Sequence, residues 1–427
     1  MLCGCKTGSC YRKAGVSDMK VLYVVASCLN RNTSANMSHN AYVQGLLENG
    51  CDVTILMAKD SWGAVDQGMP SWDCAQYYTY PSVAIQDRIR KKFQASNPAP
   101  IAAVTDKSDP VAPKQAKRSL KQRHRSGLKG AFYKLFPKDP CYPLEKTWLK
   151  KAAKFKSSVE YDLVVSNSTP AAGHKLVGTL IKNKRIKCKR WVQIWEDPWY
   201  YDLYGGYTEA VLREEHSLLR QASEIYYVSP LTLKYQKELF ADCAGKMKHI
   251  PLPYLVFSSG EASLPEECSF GYFGDYFSHT RNLQPFYDAI TKTDCTAYIY
   301  GDTDLFLAST EHISVSGRVT LDVLERVQEK TRVLVHLCNL KGGQIPGKIY
   351  HYSATNKPIL FILDGTKEEQ ALLKGYFQKF DRYYFCENTE SSILEAIEKI
   401  RTDFLAGKEW VAVEDFSPQS VVSSLLR

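Results

Sequence analysis

At 427 residues, with 44% apolar and 12% aromatic composition, the chain exceeds one typical hydrophobic core and is too apolar for a disordered protein, so two domains are expected. No apolar run approaches the about 20 residues of a membrane-spanning helix, and the N-terminus lacks a charged start followed by an apolar stretch, so a cytoplasmic chain is expected rather than a secreted one. The formal charge of +9 is confined: between Pro81 and Gly130, twelve Lys/Arg stand against Asp87, Asp106 and Asp109, which accounts for all of it.

Residues 1–18 read as a leader, or as a misplaced start ahead of Met19. Cys3, Cys5 and Cys10 cluster there, but no His or second Cys pair completes a zinc spacing. The thirteen cysteines are scattered without a CxxC pair, as expected of reduced, mostly buried thiols. Lys20–Ala26 is a β-branched apolar run, as in a buried parallel strand. A polar loop to Met37, a helix over Ser38–Asn49 with Ser38 as N-cap and Gly50 as stop, and a strand over Asp52–Met57 complete a βαβ unit. The loop has no GxGxxG, which disfavours a dinucleotide there. Asn30, Asn32, Ser34, Asn36 and Ser38 suit either a hydroxyl-rich ligand or ordinary loop solvation. His39, near the helix start, reads as a surface or cap-adjacent histidine ahead of a catalytic one, and is kept as an acceptor-side candidate.

The basic insertion, about 85–130, carries the Pro, Ala and Ser enrichment of a mobile loop. Behind it, Leu128, Ala131, Phe132, Leu135 and Phe136 recur at helical spacing, with Lys129 and Lys134 off that face. This pattern suits an interfacial helix on an anionic membrane, a helix lying on its own domain, or one docking an acidic partner. The charge run puts the membrane surface first, through 85–136, and no nucleic-acid fold signature accompanies it.

The αβ rhythm then resumes: helix Pro143–Phe155, strand Tyr161–Ser166, a helix from Pro170, and strand Arg190–Trp195 ending in Glu196-Asp197-Pro198-Trp199. Helix Thr208–Gln221, strand Glu224–Val228 and helix Pro230–Leu239 follow. Such alternation predicts a parallel sheet with ligands at the carboxyl ends of its strands. Glu196 and Asp197 would face the cleft there, where a carboxylate can orient or deprotonate an acceptor hydroxyl; equally, Asp197-Pro198 can simply build a turn. Trp195, Trp199, Tyr200, Tyr201 and Tyr204 suit stacking on sugar rings as well as packing under a loop.

His249-Ile-Pro-Leu-Pro-Tyr254 reads as a linker dividing 19–253 from 254–405, with a tail over 406–427 that can pack back on the first domain. The second half restarts with strand Phe270–Phe273, helix Leu283–Ile290, strands Thr296–Tyr300 and His312–Val315, and helix Leu321–Glu329. Cys338–Leu363 then forms a strand, turn, helix, strand unit in which Gly342, Gly343 and Gly347 permit close backbone approach and Pro346 fits a first helical turn. Lys348 places a positive charge where the helix dipole already repels cations, so an anion is expected opposite it, a phosphate first. Helices over Ser391–Phe404 and Ser417–Leu426 close the chain. Three loops of this half converge on the cleft: Gly274–Asn282, Gly317-Arg318-Val319 and Gly342–Lys348, so that Arg281 and Lys348 would flank a diphosphate.

The ordered motifs YDLVVSNSTP, KRWVQIWEDPW, FGYFGDYFSHTRN, ISVSGRV and QIPGKIYHYSATNKPIL resemble the GT-B glycosyltransferases, in particular the large group 1 or glycosyltransferase family 4. The resemblance implies an α/β GT-B fold, two Rossmann-like domains facing a central cleft. It implies transfer of a sugar from a nucleotide donor to a glycan or lipid-linked acceptor in surface polysaccharide synthesis, with retained configuration and without a cofactor or an obligatory metal. It further implies that Gly274, Arg281 and Lys348 hold the donor diphosphate, that Gly317, Arg318 and Val319 lie near the base, that Gly343, Gly347 and His351 line the donor, and that Asp197 belongs to the acceptor side with Glu196, Trp199 and His39. The family carries two glutamates eight positions apart in the last motif, contacting donor sugar and ribose; here Gly343 and His351 stand at those positions. A nucleotide-sugar epimerase or phosphorylase, or an inactive GT-B binding module, are the alternatives.

Overall fold

A computed structural model describes residues 19–59, 65–82, 141–203, 208–255, 268–341 and 343–427. The expectations for 1–18, the basic insertion with its helix through 136, Tyr204 and Gly342 fall outside these residues. Among them, no helix is long and apolar enough to cross a membrane.

The first domain is built on a parallel sheet ordered β3-β2-β1-β4-β5-β6-β7. Its strands are β1 (Lys20–Val25), β2 (Asp52–Lys59), β3 (Gln76–Pro81), β4 (Glu160–Ser168), β5 (Lys187–Trp195), β6 (Glu224–Tyr227) and β7 (Met247–His249). The inner strands β1 and β2 are buried on both faces (eBBBBB and eBBBBBBe along their lengths), which is why they read as continuous apolar runs rather than alternating ones. Helices α1 (Ser34–Glu48), α2 (Lys146–Ala152), α3 (Ala172–Lys182), α4 (Glu209–Gln221) and α5 (Pro230–Leu239) connect and cover them.

Helix α1 starts four residues before the expected Ser38. Thr33 is the N-cap, accepting from the Asn36 N–H at 3.2 Å. Two buried asparagines of this turn are bonded internally: Asn36 donates to the Cys28 and Arg31 carbonyls at 2.9 Å, and Asn40 to Leu29 at 3.0 Å. These two side chains tie the loop to the helix, whereas Ser34 is exposed and Asn30 and Asn32 are half-buried. Gly50 follows the helix at φ +76°, the expected stop.

The second domain has the parallel order β10-β9-β8-β11-β12-β13, from β8 (Ser269–Phe273), β9 (Thr296–Tyr300), β10 (Ile313–Ser316), β11 (Val333–Leu337), β12 (Ile359–Leu363) and β13 (Tyr383–Glu387). Its helices are α6 (Gln284–Ile290), α7 (Leu321–Lys330), α8 (Lys348–Tyr352), α9 (Lys367–Phe377) and α10 (Glu390–Leu405). The terminal helix α11 (Pro418–Leu426) lies on α1 of the first domain: Asn49 donates to the Gln419 carbonyl at 3.0 Å, and Ser423 to the Asn49 side chain at 2.7 Å. One apolar cluster runs through both domains, joining Val21, Tyr42 and Val228 to Ile349, Tyr350 and Phe361. Both sheets reverse their strand order at one point, between β1 and β4 and between β8 and β11, and such points open a crevice at the strands' carboxyl ends.

Candidate active site at the domain junction

Gly274 follows β8 and the Cys338–Lys348 stretch follows β11, so both flank the reversal point of the second sheet. Lys348 lies across Gly274, where an added Cβ would stand 3.4 Å from its Nζ, and donates to the Phe273 carbonyl. Burial pushes its ammonium down to about 8; Arg281 and Arg318 add to that shift, and Asp275 opposes it. Arg281 sits close enough to Tyr272 and His336 to act on both. Arg318 is paired on both sides: its guanidinium holds the Asp275 carboxylate, with Nε 3.0 Å from Oδ1, and Nε also reaches Asp302 at 3.1 Å. Burial by itself would raise the Asp275 carboxyl, but Arg318 and the Asp302 N–H outweigh it and hold the group low. Gly317 lies beside Asp302 and Val319 is half-buried next to Arg318.

The structure thus brings Gly274, Arg281, Arg318 and Lys348 into one cluster, with two aspartates that sequence reasoning passed over. Asp275 directly follows Gly274 and Asp302 lies two residues past the end of β9, and that placement was the available signal. Helix α8 has only five residues and its N-cap Gly347 makes no side-chain cap bond, so the dipole contributes little. The positive potential of this corner comes from its side chains more than from the helix end.

Gly343 faces the first domain and lines a cavity at the junction. It is buried against the first domain, its carbonyl accepting from Ser229 Oγ at 2.5 Å and Thr232 Oγ1 at 2.8 Å. A Cβ here would meet the Thr232 backbone nitrogen at 2.9 Å, so only glycine allows this approach. Gly347 lies beside Leu252 and Ser34 of the first domain. His351 is half-buried, with its imidazole pushed down to about 4 by burial and by Lys348, and is therefore neutral at pH 7.

Across the junction, Gln344 Nε2 donates to Asp197 Oδ1 at 2.6 Å while its Oε1 accepts from the Leu203 N–H at 3.0 Å. This glutamine, unmarked in the sequence, joins the motif stretch of one domain to the acceptor-side carboxylate of the other. Burial raises the Asp197 carboxyl; the Gln344 bond opposes that, and Asp202 adds to it. Glu196 is raised well above the carboxylate range, first by burial and then by Asp197. His39 is fully buried rather than surface-placed, 3.3 Å from Glu196 Oε1, and burial pushes it down to about 4. Burial thus disfavours the charged form of both partners, holding the imidazole neutral at pH 7 and pushing the carboxyl toward its protonated form.

The aromatic residues divide. Trp195 is core, fully buried against His174 with its indole N–H on Gln193. Trp199 packs on Tyr142 at 5.3 Å, and its N–H and that of Tyr200 are held by the buried carboxylate of Glu215, which burial raises to about 7. Tyr201 remains exposed and borders an interdomain cavity of about 430 Å³ together with Pro198, Leu203, Tyr235, Lys341 and Glu369. This cavity lies on the Gln344 side of the junction and does not include Lys348. Among the described residues, His216, Asp242 and Cys243 form a group of metal-ligand type, but Arg220 already pairs with Asp242 at 3.0 Å and Cys243 is buried, so an ion pair accounts for it.

No protein-family profile matches the sequence, and no curated protein matches it either. In three dimensions the chain is similar to HepE (Alr3699) of Anabaena in complex with UDP, at TM-score 0.51 and 11% identity over 95% of each chain. It is similar to the same protein in complex with UDP and glucose at TM-score 0.50 and 12% identity, again over 95% of each chain. With its two reversed parallel sheets meeting at one junction, the chain has the GT-B fold: two Rossmann-like α/β domains facing a central cleft.

Proposed function

We propose that this protein is a glycosyltransferase, taking a sugar from a nucleoside diphosphate held by the second domain and delivering it to a hydroxyl presented by the first. The reading is supported by one loop, Gly343–Lys348, that supplies both Lys348, clustered with Arg281 and Arg318 in the second domain, and Gln344, which bonds Asp197 of the first. Cations placed where charge develops stabilise a departing diphosphate. HepE, which shares the fold, is described with UDP and with UDP and glucose; uridine donors are therefore the first to test. In the reaction, the acceptor oxygen bonds to the anomeric carbon as the bond from that carbon to the diphosphate oxygen breaks. The leaving phosphate oxygen takes the acceptor proton on the same face, so configuration is retained. Asp197 orients the acceptor, and Lys348 and Arg281 neutralise the product diphosphate without a metal. A glycan or lipid-linked acceptor, used in surface polysaccharide synthesis at the cytoplasmic face of a membrane, fits the basic character of 85–136.

Screening nucleotide sugars for release of the nucleoside diphosphate tests the reading, and Lys348→Ala should abolish turnover with the fold retained; near-normal transfer by this variant overturns it. A second reading, a binding module without transfer, is favoured by Gly343 packing into the domain contact and by neutral His351, which stand where the family carries glutamates. Calorimetry showing donor binding with neither hydrolysis nor transfer selects that reading.

A further inference from the structure

Cys268 immediately precedes β8 and Cys295 immediately precedes β9. These strands pair in parallel with Ser269 opposite Thr296, and the Thr296 N–H donates to the Cys268 carbonyl at 3.1 Å. The two cysteines therefore stand one position outside the last registered pair. Neighbouring strands run about 4.8 Å apart, within the Cα separation of about 4.4–6.8 Å that a disulfide spans. Their sulfurs lie 3.1 Å apart, both as free thiols. Cys268 is half-buried and reachable from solvent, whereas Cys295 is buried. Arg401, itself paired with Asp294 at 2.9 Å, and Arg332 add positive potential beside the pair. The Cys268 hydrogen bond and Arg401 hold the Cys295 thiol below its ordinary range despite burial, so a thiolate is available on the inner sulfur.

We infer that Cys268 and Cys295 are a dithiol modification site that closes to a disulfide by exchange with a small-molecule disulfide of the glutathione class. Cys268, passing its proton to the adjoining Cys295 thiolate, attacks one sulfur of the reagent; the S–S bond breaks, leaving a mixed disulfide on Cys268 and releasing one glutathione thiolate, which takes that proton from Cys295. The Cys295 thiolate then attacks the Cys268 sulfur and displaces the second glutathione. The two cysteine protons end on the two glutathiones, and two electrons pass from the protein to the reagent. The bridge ties the amino ends of β8 and β9, whose opposite ends carry Gly274 with Asp275 and Gly301 with Asp302. It forms at the amino-terminal end of the sheet, opposite the candidate active site, and requires no movement of strand register.

The full-length protein is incubated with oxidised glutathione, its remaining thiols are alkylated, and its peptides are mapped without reduction. The expected product is a linked peptide pair containing Cys268 and Cys295 that dithiothreitol separates, with a rise in Tm of about 5–10 °C for closure of this loop. In Cys295→Ser the reaction should stop at glutathione bound to Cys268. Alkylation of both thiols in the wild type, or glutathione persisting on its Cys268, overturns the inference. Wild-type mapping decides the matter even if the variant fails to fold.

Discussion

Lys348 is the most consequential side chain of the candidate site, because its charge depends on what lies opposite. Burial and two arginines bring its ammonium to about 8 in the unliganded protein, whereas a bound diphosphate would restore the charge. Diphosphate binding should therefore take up a proton near pH 8, and UDP affinity should weaken by up to about tenfold per pH unit above that value. The dependence belongs to the ammonium, so Lys348→Ala should bind more weakly and without it. Calorimetry in buffers of different ionisation enthalpy measures both effects, and a flat wild-type profile from pH 7 to about 10 contradicts the argument. Lys348, Arg281, Arg318 and Gly274 were legible because glycine and cation types at strand ends have few local explanations. Gln344 and Gly343 were not legible in their actual roles. Each acts through a partner more than a hundred residues away, and no local spacing encodes that.

Helices and strands followed the sequence where one physical signal dominated. Pro230 in the first turn, with Ser229 capping the Thr232 N–H, set α5 as expected. Strand β9 likewise matches its apolar run. The elements that went unread are β3, β7, β13 and α9. β3 is an edge strand with no buried residue (eiieii), so it carries no continuous apolar run. α9 carries a complete Thr366–Glu369 capping box, a signal present in the sequence but passed over. The terminal helix α11 buries Val421, Val422 and Leu425 against the first domain, each to within 2% of full burial. Burial of such side chains is worth about 1.5–3 kcal/mol each, comparable in sum to much of a domain's net stability. Leu425→Ala should cost about 2–5 kcal/mol in urea unfolding, and removing 418–427 should abolish a cooperative transition of the first domain. A truncated chain that melts like the full one would show that α11 merely rests on α1.

Across the whole molecule, histidine burial sets the acid limit of stability. His39, His174 and His336 are fully buried, and His249 and His351 half-buried. Desolvation pushes all five down, to about 4 for His39, His249 and His351 and about 3 for His174 and His336. Between these values and 6.5 the unfolded chain binds protons that the folded one refuses, so each imidazole lowers stability by up to about 1.4 kcal/mol per pH unit as pH falls. Glu196, Asp197 and Glu215 act in the opposite sense, since burial raises them and the folded form holds their protons. Glu48 is raised by burial as well, but five imidazoles outnumber these four carboxyls, so unfolding near pH 5.5 should take up protons on balance. Urea midpoints measured from pH 7 down to about 4.5 should fall accordingly; a constant midpoint contradicts this balance.

Local sequence was enough for the class of the fold and for the cation cluster. Apolar periodicity, caps and glycines at strand ends act within a few residues of themselves, so their physics is readable along the chain. What lay beyond it was which loops meet. The Cys338–Leu363 stretch reads as a cleft-lining anion turn, yet in the folded protein half of it is a seam: Ile349 and Tyr350 enter a core shared by both domains, Gly343 docks on α5, and Gln344 grips Asp197. Contacts between distant segments depend on how two independently specified sheets pack. That packing is set by the summed shape and burial of both domains, a quantity no single motif carries.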